Sequence, residues 1–254
     1  MQKRIRTKRL SEHIYLLDDF GQASGYLVTG SNKAAVIDTM NGYEDVHAVV
    51  RTITDLPLIL INTHGHCDHI FGNIYFDEAY MNPADNELAF QQTQHEDFLS
   101  LCKEQKRSLP PFKPLSDGEK IDLGNLTLRV IFLPGHTAGG ICLLLEEDRV
   151  LFTGDSINHH LWMQLEECLP LSVFLENLKS ISFVKAEADR ILHGHAQDFD
   201  DISLFDELAD GVQDLLTTGG ISDGIYEYNY RWMVGKCRQH PFGKDSVICY
   251  DTVR

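Results

Sequence analysis

Short apolar runs, separated by turn-forming residues, dominate the first part of the chain. Three of these runs, at 13–17, 25–29 and 34–38, predict successive β-strands. Residues 43–53 then carry valine and isoleucine at helical spacing, which predicts an amphipathic helix. The apolar run at 58–61 is too short for a helix and predicts a buried strand. Strands, a helix and a further strand together indicate a layered α/β fold.

The rest of the chain continues to alternate between helical and strand-like patterns. A polar segment at 83–107 predicts a helical insertion. Further strands are predicted at 126–132, 141–145, 149–152 and 190–192, and further helices at 171–180 and 202–216. Tyr226, Tyr228, Tyr230 and Trp232 alternate with polar residues, which predicts a strand with one aromatic face. We therefore predict a single domain over residues 1–254. Its C-terminal tail, residues 200–254, is predicted to contain a helix and a strand.

Composition and charge narrow the classes of function. The chain has 254 residues, is 43% apolar and carries a formal net charge of −16. This apolar share is typical of soluble globular proteins, whereas binding to a phosphate backbone needs a basic face. The basic N-terminal segment lacks an apolar signal core, and the six cysteines are scattered. We expect a cytoplasmic protein that binds neither nucleic acid nor a membrane.

The densest cluster of reactive side chains directly follows the strand predicted at 58–61. Four donors lie within six residues: His64, His66, Asp68 and His69. Imidazole and carboxylate are the ligands that zinc and its neighbours prefer. In an extended loop, alternate side chains point the same way, so His64 and His66 can hold one ion. Asp68 and His69 follow a bend and are better placed for a second.

Three later segments each place a metal-competent side chain after a predicted strand. His136 lies in a glycine-rich turn, Asp155 follows the strand at 149–152, and His195 follows the strand at 190–192. A single histidine or aspartate at a strand end usually forms a local hydrogen bond. Taken together, however, His-x-His-x-Asp-His followed by a His, an Asp and a His resembles the metallo-β-lactamase superfamily.

This resemblance implies both a fold and a set of metal ligands. The fold would be a four-layer αβ/βα sandwich with the metals at one edge, between the two sheets. His64, His66 and His136 would bind one ion; Asp68, His69 and His195 would bind a second; Asp155 would bridge both. Two divalent ions are expected, with zinc favoured and iron or manganese as alternatives, because these donors accept several metals.

Other residues are expected to assist this site. Asp68 would handle a proton beside the nucleophile, and Asp38 resembles the acidic residue that lies beneath the ligand loop in the family. The alternative for Asp38 is a turn-forming role. Cys67 is expected to pack near the ligands without binding metal. His193 is expected to point away from them.

The substrate cavity is expected to use a loop after Asp155 and the helical segment at 83–107. Candidate substrate contacts in this loop are His159, His160 and Trp162, with a surface-loop role as the alternative for both histidines. The aromatic tail is the segment that carries Tyr226, Tyr228, Tyr230 and Trp232. We expect its side chains to pack in the core or at a homodimer contact, in preference to lining the substrate cavity.

The complete ligand set predicts metal-assisted hydrolysis of a small-molecule substrate. A hydroxide shared by two metals would attack a small ester, thioester, lactone or phosphoester. A mononuclear iron enzyme similar to the persulfide dioxygenases is the alternative, and a non-catalytic metal-binding module on the same fold is a third. The hydroxyacylglutathione hydrolases are similar in the motif, but their basic tail is not evident in this chain.

Overall fold

The computed structural model describes residues 4–253 and contains three β-sheets; residues 1–3 of the basic N-terminal segment and residue 254 lie outside it. The first sheet has seven strands in spatial order: β1 (Arg6–Arg9), β2 (Ile14–Asp18), β3 (Ser24–Thr29), β4 (Ala34–Ile37), β5 (Leu58–Ile61), β6 (Ala79–Met81) and β7 (Phe112–Pro114). Strands β1 to β4 pair antiparallel, and β4 to β7 pair parallel. The four strands predicted in this region are confirmed.

The second sheet has six strands and the spatial order β14-β13-β11-β10-β9-β8. Its strands are β8 (Lys120–Asp122), β9 (Thr127–Phe132), β10 (Ile141–Leu145), β11 (Val150–Gly154), β13 (Arg190–His193) and β14 (Asp200–Asp201). Every residue of β10 and β11 is buried, which explains why these strands appear as continuous apolar runs. The four strands predicted here are also confirmed.

Helices cover the outer faces of these two sheets. They are α1 (Val46–Arg51), α2 (Cys67–Ile70), α3 (Asn86–Gln92), α4 (Glu96–Gln105), α5 (Leu171–Ser180), α6 (Val184–Glu187) and α7 (Leu204–Thr218). Phe71–Tyr75 and Pro83–Asp85 form short 3-10 helices. Within residues 4–253, no helix combines the length and apolar character needed to cross a membrane.

Clusters of buried apolar side chains define the order of the layers. Successive side chains of a strand point to opposite faces, and both faces of β4 are covered. Ala35 and Ile37 join the cluster between the two large sheets, whereas Val36 packs outward in a cluster that includes Val50 of α1. A third cluster places α5 and α7 on the outside of the second sheet. The order helix, sheet, sheet, helix is the predicted four-layer αβ/βα sandwich.

A smaller C-terminal sheet joins the sandwich beside α7. Its strands, in the spatial order β12-β17-β16-β15, are β12 (His160–Met163), β17 (Ser246–Tyr250), β16 (Met233–Phe242) and β15 (Gly224–Tyr230). Phe242 packs closely on α7 at Gly211, where a Cβ atom would collide with the Cβ of Phe242. The predicted aromatic strand is confirmed as β15, but Trp232 lies beyond it, in the turn before β16.

Two helices differ from the sequence prediction. Helix α1 is shorter than the predicted 43–53, because the Asp45 carboxylate accepts a hydrogen bond from Ala48 N (2.9 Å) and caps the helix there. The segment 83–107 forms three short helices instead of one. The chain turns after α3, where the Thr93 hydroxyl donates to the Phe90 carbonyl (2.7 Å).

Candidate metal centre

Four loops, each following a strand of the two large sheets, bring the predicted donors together. The loop after β5 carries the first histidines, and α2 then begins at Cys67, which provides the predicted bend. His136 follows β9, Asp155 follows β11, and His195 follows β13. The strand ends therefore place donors from distant parts of the chain at one edge of the sandwich.

Three imidazoles converge in the first of two adjoining donor groups. The Nδ1 atom of His66 lies 3.1 Å from His64 Nε2 and 2.9 Å from His136 Nε2. All three rings are buried. Two nitrogens bound to one zinc ion at the tetrahedral angle lie roughly 3.3 Å apart. The spacing of the three nitrogens therefore fits one ion.

Asp68, His69 and His195 form the second donor group. Asp68 Oδ2 lies 3.8 Å from His195 Nε2, and Asp68 Oδ1 lies 3.9 Å from His69 Nε2. Asp155 lies between the groups, with Oδ1 3.6 Å from His69 Nε2 and Oδ2 3.9 Å from His136 Nε2. The structure thus brings all seven predicted donors into one cluster, and Asp155 faces both groups.

Each of the five histidines has one ring nitrogen held by the surrounding protein. The Nδ1 partners are Thr63 Oγ1 for His64 (3.0 Å), Asp38 Oδ2 for His69 (2.8 Å), the Trp162 carbonyl for His136 (2.7 Å) and the Gln22 carbonyl for His195 (2.9 Å). His66 uses Nε2, which is 2.6 Å from Glu167 Oε1. Such hydrogen bonds fix the orientation of a ring and leave its other nitrogen directed inward.

Two buried atoms at the centre have no hydrogen-bond partner among residues 4–253. They are His69 Nε2 and Asp155 Oδ1. Leaving a buried polar atom without a partner costs about 1–3 kcal/mol. A coordinated cation would satisfy both atoms, and imidazole with carboxylate is a donor set that suits zinc and its neighbours. The residues present therefore fit divalent metal ions.

Two histidines of the first donor group differ in pKa from His195 of the second group. Burial lowers the pKa of His64 well below its ordinary value, and burial together with His66 lowers the pKa of His136 to about 4. Burial also opposes the charged form of His195, but the neighbouring Asp155 carboxylate raises the pKa of this ring to about 9. His64 and His136 are thus neutral at pH 7, whereas a cation that binds His195 has to displace a proton.

Asp38 lies beneath the ligand loop and connects it to β4. Its Oδ1 accepts a hydrogen bond from Thr63 N (2.8 Å), and its Oδ2 accepts bonds from Thr63 Oγ1 (2.7 Å) and His69 Nδ1 (2.8 Å). The residue is buried and has a φ of 59°, a conformation that residues other than glycine rarely adopt. Asp38 therefore orients both the ring of His69 and the start of the loop.

Two supporting carboxylates escaped the sequence analysis. Buried Asp85 joins two ligand loops, because it accepts hydrogen bonds from Gly65 N (2.9 Å), Thr137 Oγ1 (2.7 Å) and Gly139 N (2.5 Å). Its only sequence signal is its position after Pro83, which is typical of a helix start. Glu167 holds His66 but follows it by 101 residues, so no local pattern connects them.

Gly194 allows the segment that carries His195 to approach the donors closely. A Cβ atom at this position would collide with the Asp155 carboxylate and the His69 ring. The Gly194 amide donates to the Gly154 carbonyl (2.8 Å), and the Gly194 carbonyl accepts from Ser24 N (2.7 Å). Any side chain at position 194 would therefore displace a donor.

A cavity of about 380 Å³ opens onto the donors. Its walls beyond the donor cluster include Gln22, His160, Trp162, Leu165, Tyr230 and Met233. The structure thus places His160 and Trp162 beside the donors. The aromatic tail also contributes to the cavity through Tyr230, in addition to the packing of Trp232 against Phe71 and His95. The aromatic tail thus both packs against neighbouring aromatic side chains and lines this cavity.

Two other expected parts of the cavity lie elsewhere. His159 lines a separate cavity, where its Nδ1 is 2.7 Å from Ser246 Oγ and its Nε2 is 3.0 Å from Asp200 Oδ1. His159 lies in the bend before β12, whereas His160 begins that strand and lines the donor cavity. No residue of 83–107 is among those lining the donor cavity within the described chain; Ala89 and Phe98 pack against the first sheet instead.

The fold and this donor cluster agree with comparisons with known proteins. The chain belongs to the metallo-beta-lactamase superfamily, whose family model matches residues 18–195. The DIM-1 metallo-beta-lactamase has a TM-score of 0.63 and 18% identity, covering 84% of this chain and 98% of that one. A metallo-beta-lactamase from Erythrobacter litoralis has a TM-score of 0.62 and 16% identity, covering 85% and 99%. These structures establish the shared fold.

Curated relatives with higher sequence identity are hydrolases by name. The acyl-coenzyme A thioesterase MBLAC2 of Gallus gallus is 30% identical over 160 residues, or 54% of this chain and 58% of that protein. A hydroxyacylglutathione hydrolase of Francisella philomiragia is 31% identical over 140 residues, or 52% and 46%. The probable polyketide biosynthesis zinc-dependent hydrolase BaeB of Bacillus velezensis is 35% identical over 108 residues, or 41% and 40%. The matches thus span about half the length of these relatives.

Proposed function

We propose that the chain is a two-metal hydrolase of small thioesters. The observation that carries this proposal is the position of Asp155 between two donor groups, each of which offers three further ligand atoms. His64, His66 and His136 would hold one divalent ion, and Asp68, His69 and His195 a second. Zinc is the favoured metal, and one of the relatives is named as a zinc-dependent hydrolase.

The residues around the centre suit proton transfer during hydrolysis. Bound divalent ions would lower the pKa of coordinated water and polarise the carbonyl group under attack. The Asp68 carboxylate lines the cavity and is close to His195, so it can take up the proton of the attacking water. From the same position, Asp68 can return this proton to the leaving thiolate.

The cavity walls favour a thioester with an apolar acyl group. Trp162, Leu165 and Met233 provide apolar surface beside the donors, and apolar surface binds acyl chains through the hydrophobic effect. Two of the relatives are named as hydrolases of thioesters, one of acyl-coenzyme A and one of hydroxyacylglutathione. Esters, lactones and phosphoesters share the same hydrolytic chemistry and are therefore the natural competitors to test.

A substrate screen tests the proposal. We expect the zinc-loaded protein to hydrolyse short acyl-coenzyme A or acylglutathione thioesters with a kcat/KM at least about tenfold above that for matched esters, lactones and phosphodiesters, a difference of about 1.4 kcal/mol in transition-state stabilisation. Treatment with a chelator should remove the activity, and added zinc should restore it.

The controls for this screen separate the competing functions. Protein exposed to chelator and then dialysed with zinc should regain the wild-type rate, which shows that the loss is not due to unfolding. Hydrolysis restricted to another substrate class would contradict the thioester assignment. Complete inactivity of zinc-loaded protein, with oxidation of a persulfide by the iron-loaded form, would instead support the dioxygenase alternative.

A further inference from the structure

A chain of hydrogen bonds lies behind His195, outside the donor cluster. The His195 backbone N–H donates to His193 Nδ1 (3.2 Å), and His193 Nε2 lies 3.3 Å from Asp200 Oδ2. The other oxygen of Asp200 is bound by His159, whose second ring nitrogen faces the Ser246 hydroxyl. The chain therefore connects the loop that carries His195 with β14 and β17.

The backbone amide determines the tautomer of His193. An N–H group can only donate, so His193 Nδ1 has to accept with its lone pair. In a neutral imidazole the other nitrogen then carries the proton, and His193 Nε2–H donates to the Asp200 carboxylate. Although burial raises the pKa of Asp200, the hydrogen bonds of His159 and His193 hold it below its ordinary value, so the carboxylate is available to accept.

The same tautomer argues against a third metal site. The donor atoms of His159, His193 and Asp200 are close enough together to surround an ion. A nitrogen that carries a proton has no lone pair for a metal, however, and ligating histidines have to bind through an unprotonated nitrogen. His193 Nε2 is thus a hydrogen-bond donor to Asp200.

His195 needs this support more than the other donors do. Its side chain is 36% exposed, whereas that of Asp155, the next most exposed of the seven donors, is 13% exposed. Apart from the contact of its Nε2 with Asp155, two hydrogen bonds orient His195: the ring bond to the Gln22 carbonyl and the amide bond to His193.

We propose that His193 and Asp200 are positioning residues for the second metal: His193 holds the backbone of His195 in its ligating orientation, and Asp200 accepts from His193 Nε2–H and holds the His193 ring in place. This inference rests on the proposed two-metal function. It concerns the affinity of one donor group only, because the bonds of His64, His66 and His136 do not involve this chain of residues. Partners that orient ligands in this way typically change metal affinity about 10–100-fold when removed.

Two variants of His193 separate its contacts. In His193→Asn, the amide oxygen takes the position of Nδ1 and still accepts from the His195 amide. In His193→Gln, the amide nitrogen takes the position of Nε2 and still reaches Asp200, but the acceptor for His195 is lost. We expect zinc titration with a competing chelator to show a second-site affinity lowered about 10–100-fold in His193→Gln. His193→Asn should remain within about threefold of wild type.

His240→Gln is the matched control, because His240 is also a buried histidine bound to an aspartate, Asp223, in the C-terminal sheet. It should leave both zinc affinities unchanged. Long-range proton–nitrogen spectra of the zinc-loaded wild type, labelled in its histidines, should show His193 as the Nε2–H tautomer. This readout depends on the ring of His193 alone and does not require a folded variant.

Distinct results would overturn the inference. Any one of three results is enough. The first is wild-type zinc affinity at both sites in His193→Gln. The second is a His193 ring that is protonated at Nδ1 or bound to metal, and the third is a third zinc ion per chain. Wild-type protein that binds a single zinc ion would instead contradict the proposed function. The nitrogen spectrum would still decide the role of His193 in that case.

Discussion

Asp155→Ala is expected to lower kcat/KM of the zinc-loaded protein for its best substrate by about 10³-fold or more, equivalent to the several kcal/mol that a correctly held metal contributes. Asp155 is the donor that faces both groups, and its removal takes away the carboxylate nearest to the Nε2 atoms of His69 and His195. Initial rates should be measured together with the zinc content of the same samples.

Asp189→Ala provides the control for this substitution. Asp189 also forms a charged hydrogen bond, with Arg149, but both side chains are largely exposed at the surface. Its removal should leave the rate within about twofold of wild type, since exposed ion pairs contribute at most about 1 kcal/mol to stability. If Asp155→Ala retained a tenth of the wild-type activity, Asp155 would not have the role assigned to it.

Asp38→Ala should be the most destabilising single change near the centre. It removes the acceptor for the Thr63 amide, the Thr63 hydroxyl and the His69 ring, all of which are buried. Removing one partner of a buried ion pair costs about 3–5 kcal/mol, so urea unfolding of the metal-free protein should show a loss of this size.

Asp38→Asn is the matched control, because asparagine also tolerates the positive φ angle at this position and keeps one oxygen acceptor. Its cost should be clearly smaller than that of Asp38→Ala. Equal costs for the two variants would show that the backbone conformation is the main contribution of this residue. A loss below about 1 kcal/mol in Asp38→Ala would contradict the account, because a single satisfied hydrogen bond is worth that much.

The sequence predicted those features that depend on residues close together in the chain, namely the strands and the metal-binding side chains that follow them. Apolar runs identified the strands of the two large sheets, and the donors follow those strands directly, so residue type and position were enough to bring together His64, Asp155 and His195. The strand ends then determined which loops meet. The resemblance to a family assigned His136, Asp155 and His195 to the two ions, which spacing alone left open.

Contacts between distant segments could not be predicted in the same way. Asp85 and Glu167 hold ligand loops through long-range hydrogen bonds, and neither belongs to a local pattern. His159 and His160 are neighbours in the chain, but His159 lies in the bend before β12 and His160 begins that strand, so their different surroundings depend on how distant segments pack. Tyr230 reaches the cavity only because the C-terminal sheet folds back beside the sandwich.

The most direct test of a two-metal centre is anomalous scattering from crystals of the zinc-loaded protein, collected on both sides of the zinc absorption edge. The account predicts two zinc peaks per chain, one among His64, His66 and His136 and one among Asp68, His69 and His195, with Asp155 between them. A single peak in this cluster, or a peak at His159, His193 and Asp200 instead, would contradict it.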